Sequence, residues 1–221
     1  MYSTEELKLS VDDPTKDTLD VGTLDALKLE VDRCMMFSGF ERGASLDGDK
    51  VKAIEHKEGE GSAKKIEEKL KEIGHPVNLF EFKYHEWYPL GYAGAILLTA
   101  THLFSWTTED IEELGAIGLK NSFFKSIIFR FASMGGIYKA GPSAWKKVYD
   151  AGELVGVELS EEERFLTMDL CDYRNHLAAE YYHKGYFEKM VALGSGSEEA
   201  HMEILQSIHR GDDRYRYKFT W

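Results

Sequence analysis

The stretch that decides the fold is HMEILQSIHRGDDRYRYKFTW, residues 201–221. Two runs typical of strands flank a turn at Gly211, Asp212 and Asp213, residue types that favour tight turns. In the second run basic and aromatic side chains alternate, as they do on the two faces of a strand. The pattern predicts an antiparallel hairpin with an aromatic face turned toward the core: Tyr215, Tyr217, Phe219 and Trp221.

The basic face of this last strand leaves three interpretations open: a nucleic-acid grip, a paired strand of a sheet, or the wall of a ligand pocket. The chain has 27 basic and 39 acidic residues, a net charge of −12. Nucleic acid and anionic membranes are therefore repelled at long range. We predict no nucleic-acid partner and interpret Arg214, Arg216 and Lys218 as the solvated face of a sheet.

A second hairpin precedes this one along the chain. ELVGVEL (153–159) and RFLTMDL (164–170) flank a polar turn, and the period of their apolar residues is close to two. A helical pattern over 173–196 lies between the two hairpins. Together they predict an α+β fold of helices packed on one four-stranded antiparallel sheet, with the helices followed by ββαββ.

The helices predicted before the sheet cover most of residues 60–152. Pro89 is placed in the first turn of a buried helix that ends near residue 104, since proline is tolerated there. Amphipathic patterns predict further helices at 60–76, 105–120, 121–136 and 141–152.

The chain before residue 49 has a different character, acidic and rich in turn-forming residues. We predict an irregular N-terminal arm over 1–48, with a short helix or strand across LDALKLEVDRCMMF (24–37), and one domain over 49–221.

The cysteines and the apolar stretches bear on location. There are two cysteines, Cys34 and Cys171, without close pairing, as expected in a reducing compartment. The longest apolar stretch, about fifteen residues at 90–104, is shorter than the roughly 20 residues of a membrane-spanning helix, and no secretory signal opens the chain. We predict a cytoplasmic protein with no membrane span.

No catalytic motif is recognisable in the sequence. Phosphate-binding glycine loops, nucleophile elbows and zinc-protease motifs are all missing. Glu180 and His183 have the E-x-x-H spacing of di-iron bundles, but no second pair accompanies them, and we interpret both as part of a solvated helix face. His201 and His209 are too few ligands for a metal. We predict no catalytic residue, no metal and no cofactor.

Five stretches carry a family resemblance: 55–70, EWYPLGY (86–92), WKKVYDAGELVGVEL (145–159), YYHKGYFEKMVAL (181–193) and HRGDDRYRYKF (209–219). In their order and spacing they resemble the 4-vinyl-reductase-like domains, predicted hydrocarbon-binding proteins distantly related to TRAPP vesicle-tethering subunits and haem nitric-oxide-binding domains. The resemblance spans about residues 50–221. It implies helices on a four-stranded antiparallel sheet, an apolar pocket between the two layers, and a homodimer.

The chain departs from two metal-binding patterns of these relatives. The resemblance puts Ser207 and Tyr215 where some members carry zinc-binding cysteines, with Ile204 at an acidic ligand and Phe187 near a third cysteine. None of these side chains makes a convincing zinc ligand. The Tyr-x-Ser-x-Arg signature of the haem-binding relatives is missing, and His102 is interpreted as a structural helix residue.

Trp145, Tyr149 and Tyr186 are our predicted ligand-binding residues. Aromatic residues at helical spacing are mostly core, but a subset near the sheet fits the wall of an apolar pocket. We predict a non-enzymatic binding or sensor-type domain that holds a hydrophobic small molecule as a homodimer. The alternative is an assembly module that acts through dimerisation without a ligand.

Overall fold

Seven helices and six strands are present in the part of the chain that the computed structural model describes, residues 13–121 and 133–221. The helices are α1 Leu24–Cys34, α2 Lys52–Glu58, α3 Ser62–Glu72, α4 Gly91–Phe104, α5 Thr108–Asn121, α6 Met134–Val148 and α7 Leu177–Ser195. The strands are β1 Phe40–Arg42, β2 Trp87–Pro89, β3 Glu153–Ser160, β4 Phe165–Cys171, β5 His201–Gln206 and β6 Tyr215–Thr220. A π-helix, Ser45–Val51, leads directly into α2.

The main sheet has four antiparallel strands in the order β3-β4-β6-β5. The α+β class and the four-stranded antiparallel sheet are thereby confirmed. In β6 the side chains of Tyr215, Tyr217 and Phe219 are buried, whereas the residues between them are half-buried. The strand therefore presents its aromatic face to the helices, as its alternation predicts.

Asp169 on β4 explains much of the basic face of β6. The Arg216 guanidinium donates to both Asp169 carboxylate oxygens, at 2.7 Å each. These hydrogen bonds lower the pKa of Asp169, with burial opposing them. Arg214 reaches the same carboxylate at 3.5 Å. The two arginines are thus engaged within the sheet by a cross-strand partner.

Residues 13–48 include a helix, α1, within the stretch 24–37 for which the sequence predicts a short helix or strand. Thr23 accepts a hydrogen bond from the Ala26 amide and caps α1, and Leu27 and Val31 on this helix are fully buried. The helix packs so closely on α4 that a Cβ on Gly91 would lie 1.9 Å from the Cys34 carbonyl oxygen. The apolar face of α1 thus joins the core, whereas the division of the chain into an arm over 1–48 and a domain over 49–221 stays a prediction. Residues 1–12 lie outside the described range.

Two boundaries also differ from the predicted helices. Pro89 lies in β2, paired with Phe40, and α4 begins after it at Gly91. The helix predicted at 141–152 begins at Met134, where Ser133 caps it, and includes Pro142. Most of the helix predicted at 121–136 falls outside the described residues.

Packing between α5 and α7 holds α7 in place over the sheet. Cβ atoms added at Gly115 and Gly185 would lie 2.1 Å from the Tyr182 carbonyl oxygen and 1.8 Å from that of Glu112. Glycine is required at both positions for this close approach. On its other side α7 packs Phe187 against the rings of Tyr217 and Phe219. No helix of the described residues is long and apolar enough to cross a membrane.

Candidate functional site

A cavity of about 60 Å³ lies between α6, α7, the inner face of the sheet and the π-helix. The three predicted ligand-binding residues, Trp145, Tyr149 and Tyr186, all line it. Their role in binding stays a prediction. The other lining residues are Ser45, Asp49, Ile137, Ala140, Gly141, Ala144, Val148, Leu154, Met168, Tyr182, His183, Phe187 and Met190.

Helix α6 makes room for the cavity with small residues. Ala140, Gly141 and Ala144 lie next to one another on the helix face that lines it. A Cβ on Gly141 would lie 3.2 Å from the Met168 methyl group and would tighten the contact with the sheet. Larger residues at these positions would fill the space between helix and sheet.

Trp145 and Tyr149 form the end of the α6 wall. Their rings stack with centroids 4.2 Å apart and 28° between the planes. The Trp145 indole N–H donates to the Ala151 carbonyl at 3.0 Å, so its polar atom is satisfied. Burial raises the pKa of the Tyr149 hydroxyl well above its ordinary value. Both rings therefore contribute apolar faces to the cavity.

His183 on α7 is the residue that the sequence interpretation missed. Its side chain is 5% exposed, lines the cavity and stacks on Phe187 with ring centroids 5.5 Å apart. Within the described ranges, neither ring nitrogen has a hydrogen-bond partner. Burial, with the charge of Lys50, lowers its pKa to about 3. The solvated-face interpretation is wrong, since α5 and the sheet cover both sides of α7, and at neutral pH the imidazole is uncharged.

Glu180, the other half of the E-x-x-H pair, is also buried but is engaged elsewhere. Its carboxylate accepts a hydrogen bond from the Ser207 hydroxyl, and burial raises its pKa. Ser207 is one of the positions where relatives place a zinc-binding cysteine. Glu180 does not line the cavity, so the two residues of the motif form no shared site.

The polar end of the cavity is supplied by the π-helix. Ser45 and Asp49 line the cavity, and behind them the Lys50 ammonium donates to Glu41 and to the Ser45 hydroxyl, at 3.1 Å each. Tyr182 donates its hydroxyl proton to the Asp49 carbonyl at 2.9 Å. Single π-helical turns occur often at functional sites. Here the turn directs a serine and an aspartate into an otherwise apolar space.

A second buried polar cluster lies at the start of α7. Carboxylate oxygens of Asp17 and Glu30 and a ring nitrogen of His176 lie within 4.8 Å of one another, close enough for a metal. Arg33 lies against both carboxylates, at 3.0 and 3.1 Å. His176 uses Nδ1 to accept from the Ala178 amide and Nε2 to bind Glu30. With the guanidinium present and both ring nitrogens engaged, the cluster is organised as an ion-pair network.

Neither a family model nor a curated protein matches the sequence. Solved structures do match: a doubly substituted Tt H-NOX protein has TM-score 0.58 and 15% identity over 80% of this chain and 94% of its own. An H-NOX protein from S. oneidensis in the Fe(II)NO ligation state has TM-score 0.58 and 12% identity, covering 80% and 97%. An oxygen-binding H-NOX domain related to soluble guanylate cyclases has TM-score 0.56 and 13% identity, covering 80% and 94%.

The residues around the cavity do not fit a haem. A haem needs an axial ligand for its iron and partners for two negatively charged propionates. No lysine or arginine is among the described lining residues, and Asp49 adds negative charge. The His183 ring is stacked on Phe187, and a volume of about 60 Å³ is far too small for a porphyrin. The structural matches nevertheless show that the chain has the fold of the H-NOX domains, as the resemblance to haem nitric-oxide-binding proteins implies.

Proposed function

We propose that the chain is a non-enzymatic, sensor-type binding domain that holds a small apolar molecule between α6, α7 and the sheet. The observation that carries this proposal is the cavity itself, walled by aliphatic and aromatic side chains with a few polar groups at one end. Ligand sites of proteins commonly have this composition. The H-NOX neighbours, described as oxygen-binding and as Fe(II)NO-ligated, support a small-molecule role by analogy of fold.

The chemistry at the polar end supports binding over catalysis. The Ser45 hydroxyl in the cavity wall accepts a hydrogen bond from the Lys50 ammonium behind it, at 3.1 Å. Lys50 is paired with Glu41 in a buried ion pair, so it is held as a charged donor. A charged ammonium cannot take the proton from Ser45, and the serine is therefore not activated as a nucleophile.

The 4-vinyl-reductase-like relationship is the finer part of the proposal. It is supported by the five stretches named above, one of which, 145–159, joins the α6 wall of the cavity to β3. Hydrocarbon-binding relatives agree with an apolar site at this place. The vinyl-reductase activity itself is not part of the proposal.

Xenon is a direct probe for the cavity, because dry apolar cavities of proteins bind it. We expect xenon pressure to shift amide resonances around Trp145 and His183 in a heteronuclear NMR spectrum. Ala144→Leu should abolish these shifts by filling the cavity. Ser143→Leu is the matched control, since this neighbour on α6 is exposed. Shifts that persist in Ala144→Leu, or that are missing from the unmodified protein, would refute the proposal.

Homodimerisation is proposed as well, with the edge strand β3 as the contact. In the described part of the chain β3 pairs with β4 alone, and its Val155 and Val157 side chains are 40% and 44% exposed. Exposed apolar edge strands favour pairing with another strand. Sedimentation velocity should show a dimer that dissociates in Val157→Lys. If the unmodified chain stays monomeric at high concentration, this result contradicts both the proposed homodimer and the alternative of an assembly module.

A further inference from the structure

We propose that His183 selects the ligand: the cavity binds a small neutral molecule that carries a hydrogen-bonding group, in preference to a purely apolar molecule of the same shape. This inference rests on the proposed binding function and adds its specificity. It starts from the His183 imidazole, which lines the cavity and has no hydrogen-bond partner among the described residues.

A polar side chain in an apolar cavity wall favours a ligand group that can form a hydrogen bond with it. A neutral imidazole has one N–H donor and one acceptor nitrogen, and neither is engaged by a described residue. The nearest rings, Phe187 and Trp145 at 5.5 and 5.9 Å between centroids, hold the imidazole plane in place. A ligand group that bonds to His183 supplies a partner that the described residues do not.

The apolar lining of the cavity disfavours ionised ligands. Asp49 is the one charged side chain among the described lining residues, and it is itself engaged in an interaction. The Lys50 ammonium lies 5.0 Å from the Tyr182 ring centroid, and its positive charge acts on His183 and disfavours a cation there. A charged ligand would also lose its hydration in an apolar space. The ligand class is therefore neutral.

The volume limits the size of the ligand. An apolar cavity of about 150 Å³ accepts benzene, and this one is about 60 Å³. The ligand, or the part of it that enters, has fewer non-hydrogen atoms than benzene. Short alcohols, ketones and five-membered azoles satisfy both the size and the polarity.

A matched pair of ring compounds tests the inference. Pyrazole and cyclopentene are rings of five non-hydrogen atoms, but only pyrazole carries a donor and an acceptor. We expect NMR titration of the unmodified chain to give a dissociation constant about tenfold lower for pyrazole, as one buried hydrogen bond can supply. In His183→Phe, which keeps an aromatic ring on Phe187, the preference should fall to within about twofold.

Two controls separate specificity from folding and from the proposed function. His183→Gln retains a donor and an acceptor and should restore part of the preference for pyrazole. Xenon should still bind to His183→Phe, because the cavity remains. Equal affinities for the two rings in the unmodified chain, or a preference unchanged in His183→Phe, would overturn the role of His183 while leaving the xenon result intact. If xenon caused no shifts in the unmodified chain, that result would instead count against the proposed function.

Discussion

Two histidines on the same helix, His176 and His183, show how differently one fold treats a buried imidazole. His176 is fully buried at the start of α7, and both of its nitrogens are engaged, by the Ala178 amide and the Glu30 carboxylate. His183, two turns later, is nearly as buried and has neither nitrogen engaged by the described residues. Burial alone therefore does not distinguish a structural histidine from a candidate ligand-binding one. The hydrogen-bond partners do.

The surroundings of the two residues account for the contrast. His176 belongs to a network in which Arg33 lies against two carboxylates and His209 binds Pro14 and Tyr215. Although burial raises the pKa of Glu30, its hydrogen bond with His176 and the charge of Arg33 lower it overall. This network ties residues 13–18 to the start of α7. Around His183 the neighbours are rings, which offer contact but few hydrogen bonds.

The largest effect that sharpens this comparison is expected for His176→Phe. The substitution removes the cap of α7 and leaves Glu30 without one of its donors, for a loss of about 2–4 kcal/mol in the free energy of unfolding. Urea denaturation measures this loss. Thr23→Ala, which removes the exposed cap of α1, is the matched control with a loss of about 1 kcal/mol. A loss in His176→Phe no greater than in the control would show that the network does not stabilise the fold.

A smaller effect is expected for His183→Phe, and it depends on pH. At neutral pH the variant should be at least as stable as the unmodified chain, because the substitution removes no hydrogen bond to a described residue and replaces a polar ring in an apolar wall. The folded pKa of about 3 lies below the ordinary 6.5. Between these values the unfolded chain binds a proton that the folded chain does not, so stability falls as pH falls.

His183→Phe should remove this pH-dependent contribution to the free energy of unfolding, which amounts to about 1.4 kcal/mol per pH unit. Lys50 is the charged group that acts on His183, and the buried tyrosines around it keep their protons because burial raises their pKa values. Urea denaturation at several pH values between 6.5 and 4 tests the difference. Parallel stability curves for the two proteins would show that His183 is protonated in the folded chain or already partnered.

Much of the fold is predictable from local pattern, and specific residues show where that ends. The alternation in β6 predicts a strand with one buried face, and the strand is there. The strands β1 and β2 have three residues each, which is too short for an alternation of buried and exposed side chains to be recognised in the sequence. They also pair although they lie far apart along the chain. The π-helix that brings Ser45 and Asp49 to the cavity likewise has no sequence signal that we recognised.

By itself the sequence determined the α+β class, the antiparallel sheet and the aromatic residues from which a pocket wall is built. These follow from periodicity and side-chain type, which act over a few neighbouring residues. Only the tertiary structure decided that His183 lines a cavity with no hydrogen bond to a described residue, that Arg33 lies against Asp17 and Glu30, and that α6 leaves this cavity over the sheet. Each of these depends on which segments meet in space, and that is a property of the packed chain as a whole.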